Sequence, residues 1–373
     1  MGTLTFMSFI TSIGIANPAN KLDQASIANF MVKVMQLNTD EERKLRALYR
    51  MTGINTRYSV LSDYGRDANF EFYPNQFNPS LFPSTSQRLQ LYQKCAVNLS
   101  VEAALQCLNR IQSFQKNSIT HVVVVSCTGM YAPGLDIDLV KVLGLNATVE
   151  RTCINFMGCY AAFNAIKLAD NFCKANPANK VLVVCTELCS IHFQKEKTED
   201  NLLANALFAD GSSALLVEGK PRAGTNLKPL TFHCDLAVEA ERDMAWTIGD
   251  SGFEMRLSSY VPDVIRRGIR QLTASLLEKI KNDLTDISYF AIHPGGKKIL
   301  EAIEQELNLS KTDNQFAYEV LRDYGNMSSP TVLFVLNAIH QKLNDTDHLK
   351  KILSFAFGPG LTLESMVLQI ENH

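Results

Sequence analysis

Two helical stretches in this sequence have no polar face, and each lies between two buried strands. The first, "NFMGCYAAFNAIKLADNFCKANP" (155–177), carries no charge for its first two turns. Ala161, Ala165, Leu168 and Phe172 make one apolar stripe, and Ala162, Phe163, Ile166, Ala169 and Cys173 make another. The second, "YGNMSSPTVLFVLNAIHQKL" (324–343), is apolar on every side through Ile339; Ser328 or Ser329 is placed to cap it, with Pro330 at its first position. A helix that is apolar all round must be covered all round. The runs flanking the first are "THVVVVSCTG" (120–129) and "KVLVVCTEL" (180–188), and those flanking the second are "ISYFAIHPGG" (287–296) and "KILSFAFGPG" (351–360). All four are short, continuously apolar runs, as in strands covered on both faces. Strand, turn, buried helix, strand therefore occurs twice. The arrangement that covers both helices sandwiches them between two sheets, an α/β fold with five layers αβαβα and internal pseudo-duplication. The expected halves are residues 1–225 and 226–373.

Composition narrows the function. With 373 residues, 46% of them hydrophobic, the chain can bury a large core. A formal charge of −2 and no dense Lys/Arg run give no electrostatic footprint for nucleic acid or an anionic membrane surface. The apolar start "MGTLTFMSFITSIGIANPANK" has no basic residue before Lys21 and reads as a strand ending at Asn-Pro rather than a leader. Phe6 stands where myristoylation needs Ser or Thr, and no run reaches the roughly 18 apolar residues of a membrane span. Nine dispersed cysteines, an odd number, fit a reducing, cytoplasmic setting. The closest pairs, Cys185 with Cys189 and Cys153 with Cys159, lack CxxC or HxxxH spacing, so no metal is expected.

One of the nine is placed for chemistry. Cys159 opens the first buried helix, where free N–H groups and the helix dipole favour a thiolate, and Gly158 beside it allows open approach to the sulfur. Small packed cysteines are the ordinary reading of the others. A cysteine nucleophile needs a base or cationic partner, and carbonyl chemistry needs donors for an oxyanion. Of the seven histidines, His293 alone ends a buried strand and is followed at once by a turn, Pro294-Gly295-Gly296. Asn326 precedes the second buried helix much as Cys159 heads the first, so pseudo-duplication brings both toward one point within reach of His293.

The segments "NFMGCYAA", "ALFADGSSALLVEG", "AIHPGG", "YGNMSS" and "FAFGPGLTLE", in this order, resemble the signature segments of type III polyketide synthases, the chalcone-synthase-like family of the thiolase superfamily. The stretch "WTIGDSGFEMRLSSYVP" (246–262) is closer to bacterial members. The resemblance covers nearly the whole chain. It implies a thiolase-like homodimer with a Cys-His-Asn triad at Cys159, His293 and Asn326, acting on acyl-CoA and malonyl-CoA without a further cofactor. It also implies gatekeepers at Phe208 and Met255, and pocket positions at Cys127, Thr128, Ala132, Cys189, Ile191, His192 and Ser328 and at Gly358, Pro359 and Gly360. Ala132 stands where plant relatives offer a methionine to the partner's pocket. His192 is either a pocket-narrowing side chain or a satisfied buried histidine. For coenzyme A, the implied contacts are Gly295, Gly296, Arg46 and Arg50, the two arginines reading equally well as a solvated helix face.

The implied reaction is iterative decarboxylative Claisen condensation of malonyl-CoA onto an acyl-CoA starter, released as a pyrone, resorcinol or related product. The alternatives are a self-primed enzyme using malonyl-CoA alone, an initiating ketoacyl-ACP synthase, and a non-catalytic scaffold of thiolase fold. A thiolase would want a second cysteine near "AFGPGLTLESM", which has none.

Overall fold

The computed structural model describes residues 6–75, 78, 81–258 and 260–373. Its strands are β1 (Phe9–Ala16), β2 (Asn20–Asp23), β3 (Thr56–Ser59), β4 (His121–Ser126), β5 (Glu150–Asn155), β6 (Lys180–Leu188), β7 (Asp210–Glu218), β8 (Thr225–Leu236), β9 (Met244–Gly249), β10 (Gly252–Leu257), β11 (Tyr289–Ile292), β12 (Lys351–Gly358) and β13 (Thr362–Asn372). The helices are α1 (Gln24–Val34), α2 (Thr39–Met51), α3 (Thr85–Asn109), α4 (Leu135–Leu143), α5 (Ala161–Ala175), α6 (Glu199–Leu207), α7 (Val261–Glu278), α8 (Lys297–Leu307), α9 (Gln315–Tyr324) and α10 (Thr331–His340).

The main strands run in the order β11-β12-β13-β8-β1-β7-β6-β4-β5, and the two arms meet at a single pair, Ile10 with Leu227. From that junction, β1-β7-β6-β4 and β8-β13-β12-β11 follow one pattern. The first two pairings of each arm are antiparallel, and the third is parallel. The first arm adds a parallel edge strand, β5. The chain just before α10 makes an isolated parallel bridge, Asn326 to Phe208, which joins it to the segment leading into β7.

Alternation along the strands explains why their sequences look wholly apolar. Val123 and Val125 of β4, Val183 and Cys185 of β6, and Leu215 and Val217 of β7 enter one core with α5, α7 and α10. Their neighbours Val122, Val124, Leu182, Val184, Ala214 and Leu216 enter a second core beneath α1 and α3. Helix α10 buries eight of its ten residues, each large aliphatic one contributing roughly 1.5–3 kcal/mol relative to exposure. Helix α5 is less completely covered: Leu168 and Phe172 are half-buried, and Lys167 pairs with Glu364 of β13.

Helices α1 and α2 are separated at 35–38, where Asn38 and Glu41 form a capping box for α2. One local reading changes. Neither Ser328 nor Ser329 caps α10; Pro330 takes that place, while Thr331 Oγ1 donates to the Ser328 carbonyl and accepts from Met327 N–H. Both serine hydroxyls are turned instead to the site below.

Candidate active site

The close approach of two loops builds the nucleophile's surroundings. Gly158 has φ +89°, and a Cβ there would lie 2.3 Å from Pro359 Cδ. A side chain at this position would push the β12–β13 turn away from Cys159. Cys159 stands two residues before the first residue of α5 and is buried, with its thiol 3.6 Å from Ser328 Oγ. Asn326 lines the same cavity as this thiol. Its amide is aimed by two contacts: Nδ2 donates to the Gly295 carbonyl at 3.2 Å, and Oδ1 accepts from Ser328 N–H at 2.8 Å. Ser328 takes φ +59°, a left-handed conformation that costs a non-glycine residue energy and is held here by the site.

Cys159, His293 and Asn326 line one enclosed chamber of about 40 Å³. Its walls carry Cys127, Thr128, Cys189, Phe208, Met255, Gly295, Ser328 and Pro359, together with Met244, Trp246, Leu257, Ile299 and Phe357. Both ring nitrogens of His293 are buried and, among the described residues, have no hydrogen-bond partner. An imidazole so placed is held ready for an acceptor that arrives with a ligand, because burying unpaired polar atoms is costly. The chamber therefore gathers a thiol, an imidazole and an amide donor in mostly apolar walls, a set suited to acyl transfer with oxyanion stabilisation.

The comparisons with known proteins decide the family. The N-terminal domain of chalcone and stilbene synthases matches residues 5–221, and their C-terminal domain matches residues 233–371. The chain belongs to that family. It is 30% identical over 372 residues to "Alpha-pyrone synthesis polyketide synthase-like Pks18" of Mycobacterium tuberculosis, covering 98% of this chain and 92% of that protein. It is 33% identical over 376 residues to "Probable polyketide synthase 1" of Dictyostelium discoideum, covering 97% of this chain but spanning only 11% of that much longer protein. The crystal structure of PKS-I from the brown alga Ectocarpus siliculosus superposes with a TM-score of 0.90 at 29% identity, covering 99% of this chain and 100% of the other. The protein is a type III polyketide synthase, an acyltransferase of thiolase-like fold.

In this synthase several expected positions lie off the chamber. Ile191 is fully buried in the second core, and its carbonyl accepts from Arg88. Gly296 begins α8, and a Cβ on it would face Leu207. Gly358 and Gly360 flank Pro359 and bring it in: a Cβ on Gly358 would stand 2.6 Å from the Tyr160 ring. Ala132 is exposed on the loop before α4. Arg46 is paired with Glu42 at 2.7 Å and donates to Asn29, while Arg50 is exposed, and neither lines the chamber. His192 is hydrogen-bonded at both ring nitrogens and also walls a cavity beside the chamber. Phe253 N–H donates to its Nδ1 at 3.0 Å, so the proton sits on Nε2 and is donated to the Thr128 carbonyl at 2.7 Å. Its ring stacks on Phe253 at 4.3 Å and walls a second small cavity, which shares Cys189, Phe208, Trp246 and Met255 with the chamber.

Two residues that sequence reasoning passed over complete the site. Trp246 donates its indole N–H to the Cys127 carbonyl at 2.7 Å and fills part of the chamber. Glu187, fully buried, accepts from Cys127 N–H (2.8 Å), Thr128 Oγ1 (2.7 Å) and Ser329 Oγ (2.6 Å). It thereby ties the β4 end of the chamber to the loop carrying Asn326. A lone carboxylate in the apolar run "VLVVCTEL" was the available signal.

Burial pushes the Cys159 thiol up to about 12, against the opposing pull of Ser328, and pushes the His293 imidazole down to about 3. Desolvation in the dry chamber therefore opposes the helix terminus, favouring the neutral thiol and the neutral imidazole. A raised thiol pKa means less thiolate at any given pH. In substrate-free enzyme, iodoacetamide alkylation of Cys159 should accordingly show no inflection below the ordinary thiol range near ~8.5. An inflection near neutrality that disappears in His293→Ala would contradict this.

Proposed function

We propose that the protein condenses malonyl-CoA repeatedly, with loss of CO2, onto a long aliphatic acyl-CoA starter and releases an α-pyrone or resorcinol. Cys159 takes the acyl group: its thiol proton passes to His293, the sulfur attacks the thioester carbonyl, and coenzyme A leaves. His293 and Asn326 then donate to the malonyl thioester oxygen, so that breaking the carboxylate C–C bond leaves CO2 and a stabilised enolate. The enolate carbon attacks the Cys159 thioester and frees the sulfur. The observation that carries this reading is the convergence on one chamber of Cys159, Asn326 and a His293 without a hydrogen-bond partner among the described residues.

The two halves, 1–225 and 226–373, divide the work: the first supplies the nucleophile and the second the two donors. We place the reaction in the cytoplasm and in a homodimer, with the exposed Ala132 loop turned to the partner subunit. Among the described residues no helix is long and apolar enough to cross a membrane. The aliphatic starter is supported by Met255, a flexible side chain between chamber and second cavity that can move aside to join them. It is supported also by the similarity to the α-pyrone-synthesis relative.

A panel of acyl-CoAs with malonyl-CoA, read by product mass, tests the proposal. Each methylene buried in an apolar channel contributes up to about 0.8 kcal/mol, so kcat/KM should rise over several homologues. A flat series, with equal product from malonyl-CoA alone, would favour self-priming instead. Trp246→Gly should lengthen the product or the accepted starter, since it removes the largest side chain lining the chamber.

A further inference from the structure

We propose that Arg57 is a positioning residue that holds Asn326 and Phe208 in register. The proposal rests on the role of Asn326 given above. Arg57 lies on β3 and is almost fully buried. Its Nε donates to Gln24 Oε1 at 2.8 Å, and Nη1 donates to the carbonyls of Asn205 at 2.9 Å and Phe208 at 2.6 Å. Among the described residues no carboxylate pairs with it. Its aliphatic stem lies against Gly325, which has φ +70° and where a Cβ would come 2.9 Å from Arg57 Cγ.

Asn326 follows directly. Its N–H donates to the Leu207 carbonyl at 3.0 Å, and its carbonyl accepts from Ala209 N–H at 2.8 Å, so it grips both neighbours of Phe208. Arg57 thus touches both members of the bridge between Phe208 and Asn326: Phe208 through its carbonyl, and Asn326 through the glycine before it. Gln24 extends the hold by donating to the Ala206 carbonyl at 2.8 Å.

Charge alone does not explain this residue. A buried cation held by neutral carbonyls and an amide is costly to desolvate. What the site uses is a rigid planar fork that meets several acceptors in fixed directions, which an ammonium cannot do. If the fork is lost, the Phe208 carbonyl is released, the bridge to Asn326 loosens, and the Asn326 amide drifts from the line set by Gly295. Cys159 stands just before α5 and is reached by none of these bonds. Loss of Arg57 should therefore separate the two half-reactions, slowing decarboxylation and sparing acyl transfer to the thiol. The spare Nη2 makes no hydrogen bond among the described residues, and Arg57 lines the second cavity, so small guanidinium ions have a route to the vacated place.

The test compares wild type, Arg57→Lys, Arg57→Ala and Asn326→Ala in two assays: CO2 release from malonyl-CoA, and acylation of Cys159 by an acyl-CoA followed by intact mass. One well-aimed oxyanion donor is worth about 10²–10³ in rate. CO2 release should fall about 100-fold in Arg57→Ala and about tenfold in Arg57→Lys, with acylation within about twofold of wild type. Guanidinium chloride at non-denaturing concentration should restore part of the Arg57→Ala loss, and sodium chloride at equal ionic strength should not. Unchanged CO2 release in either folded variant, or equal loss of both activities, would overturn the proposal. If Arg57→Ala does not fold, Arg57→Lys decides; if neither folds, Arg57 is a general stability element and the proposal fails. Retained CO2 release in Asn326→Ala would sink the role of Asn326 itself, whereas loss there with both Arg57 variants normal would sink only the positioning role.

Discussion

Cys159→Ala is expected to end polyketide formation while leaving the fold intact. The substitution removes one sulfur from a chamber whose walls are set by other contacts. Cys127 is held through Glu187 and Trp246, Asn326 through Gly295 and Ser328, and Pro359 against Gly158. Exchanging a small buried thiol for a methyl group changes little volume, so thermal unfolding should move by no more than a few degrees. Activity has no such reserve. Cys127 and Cys189 also line the chamber, but the Cys127 sulfur is tied to the Gly158 backbone, accepting its N–H at 2.9 Å, and neither thiol stands at the entrance of α5 beside Ser328 as Cys159 does. Substantial chain extension by folded Cys159→Ala, measured by product mass, would remove the nucleophile from the account.

The second large effect is expected at the two donors. Decarboxylation leaves negative charge on the malonyl thioester oxygen, and a dry chamber makes each aimed donor count for more than it does in water. Asn326→Ala should lower CO2 release by about 10²–10³ and affect acylation of Cys159 much less. His293→Ala should lower both, because in the proposed reaction the imidazole accepts the thiol proton in the first half-reaction and donates to the oxyanion in the second. Cys159→Gln isolates the second half. With an amide in place of the acyl thioester and both donors present, it should release CO2 from malonyl-CoA without extending any chain. Equal CO2 release from Cys159→Gln and from Cys159→Gln combined with Asn326→Ala would show that Asn326 carries no charge in that step.

The elements that could be read in advance share one property: their local sequence already carries the tertiary constraint. Strands buried on both faces must be continuously apolar, and α10, enclosed on nearly every side, must lack a polar stripe, so the two repeats are visible in "VVVV" and "TVLFVLNAI". Cys159 and His293 stand at the ends of such elements, where position alone marks them. Strand β5 was not visible, because an edge strand with exposed positions looks like a loop. The β9–β10 hairpin was not visible either; its Trp246 acts by reaching a carbonyl 119 residues earlier in the chain. Arg57 illustrates the limit most sharply. In "INTRYSVL" it reads as one more surface cation, and only long-range contacts to Asn205 and Phe208 turn it into a buried fork. The burial around Cys159 was not legible either: the desolvation that raises its thiol comes from walls drawn from both halves.

The most direct test of the whole account is a pulse and chase on the wild-type enzyme. An acyl-CoA is added, excess is removed, the protein is digested, and the acylated peptide is located among the nine cysteines; a parallel sample then receives malonyl-CoA. The account predicts a single acyl group on the peptide containing Cys159, lost on the chase as an extended polyketide carrying the same starter. Product formation with the acyl group on another cysteine, or a Cys159 adduct that malonyl-CoA cannot discharge, would contradict it.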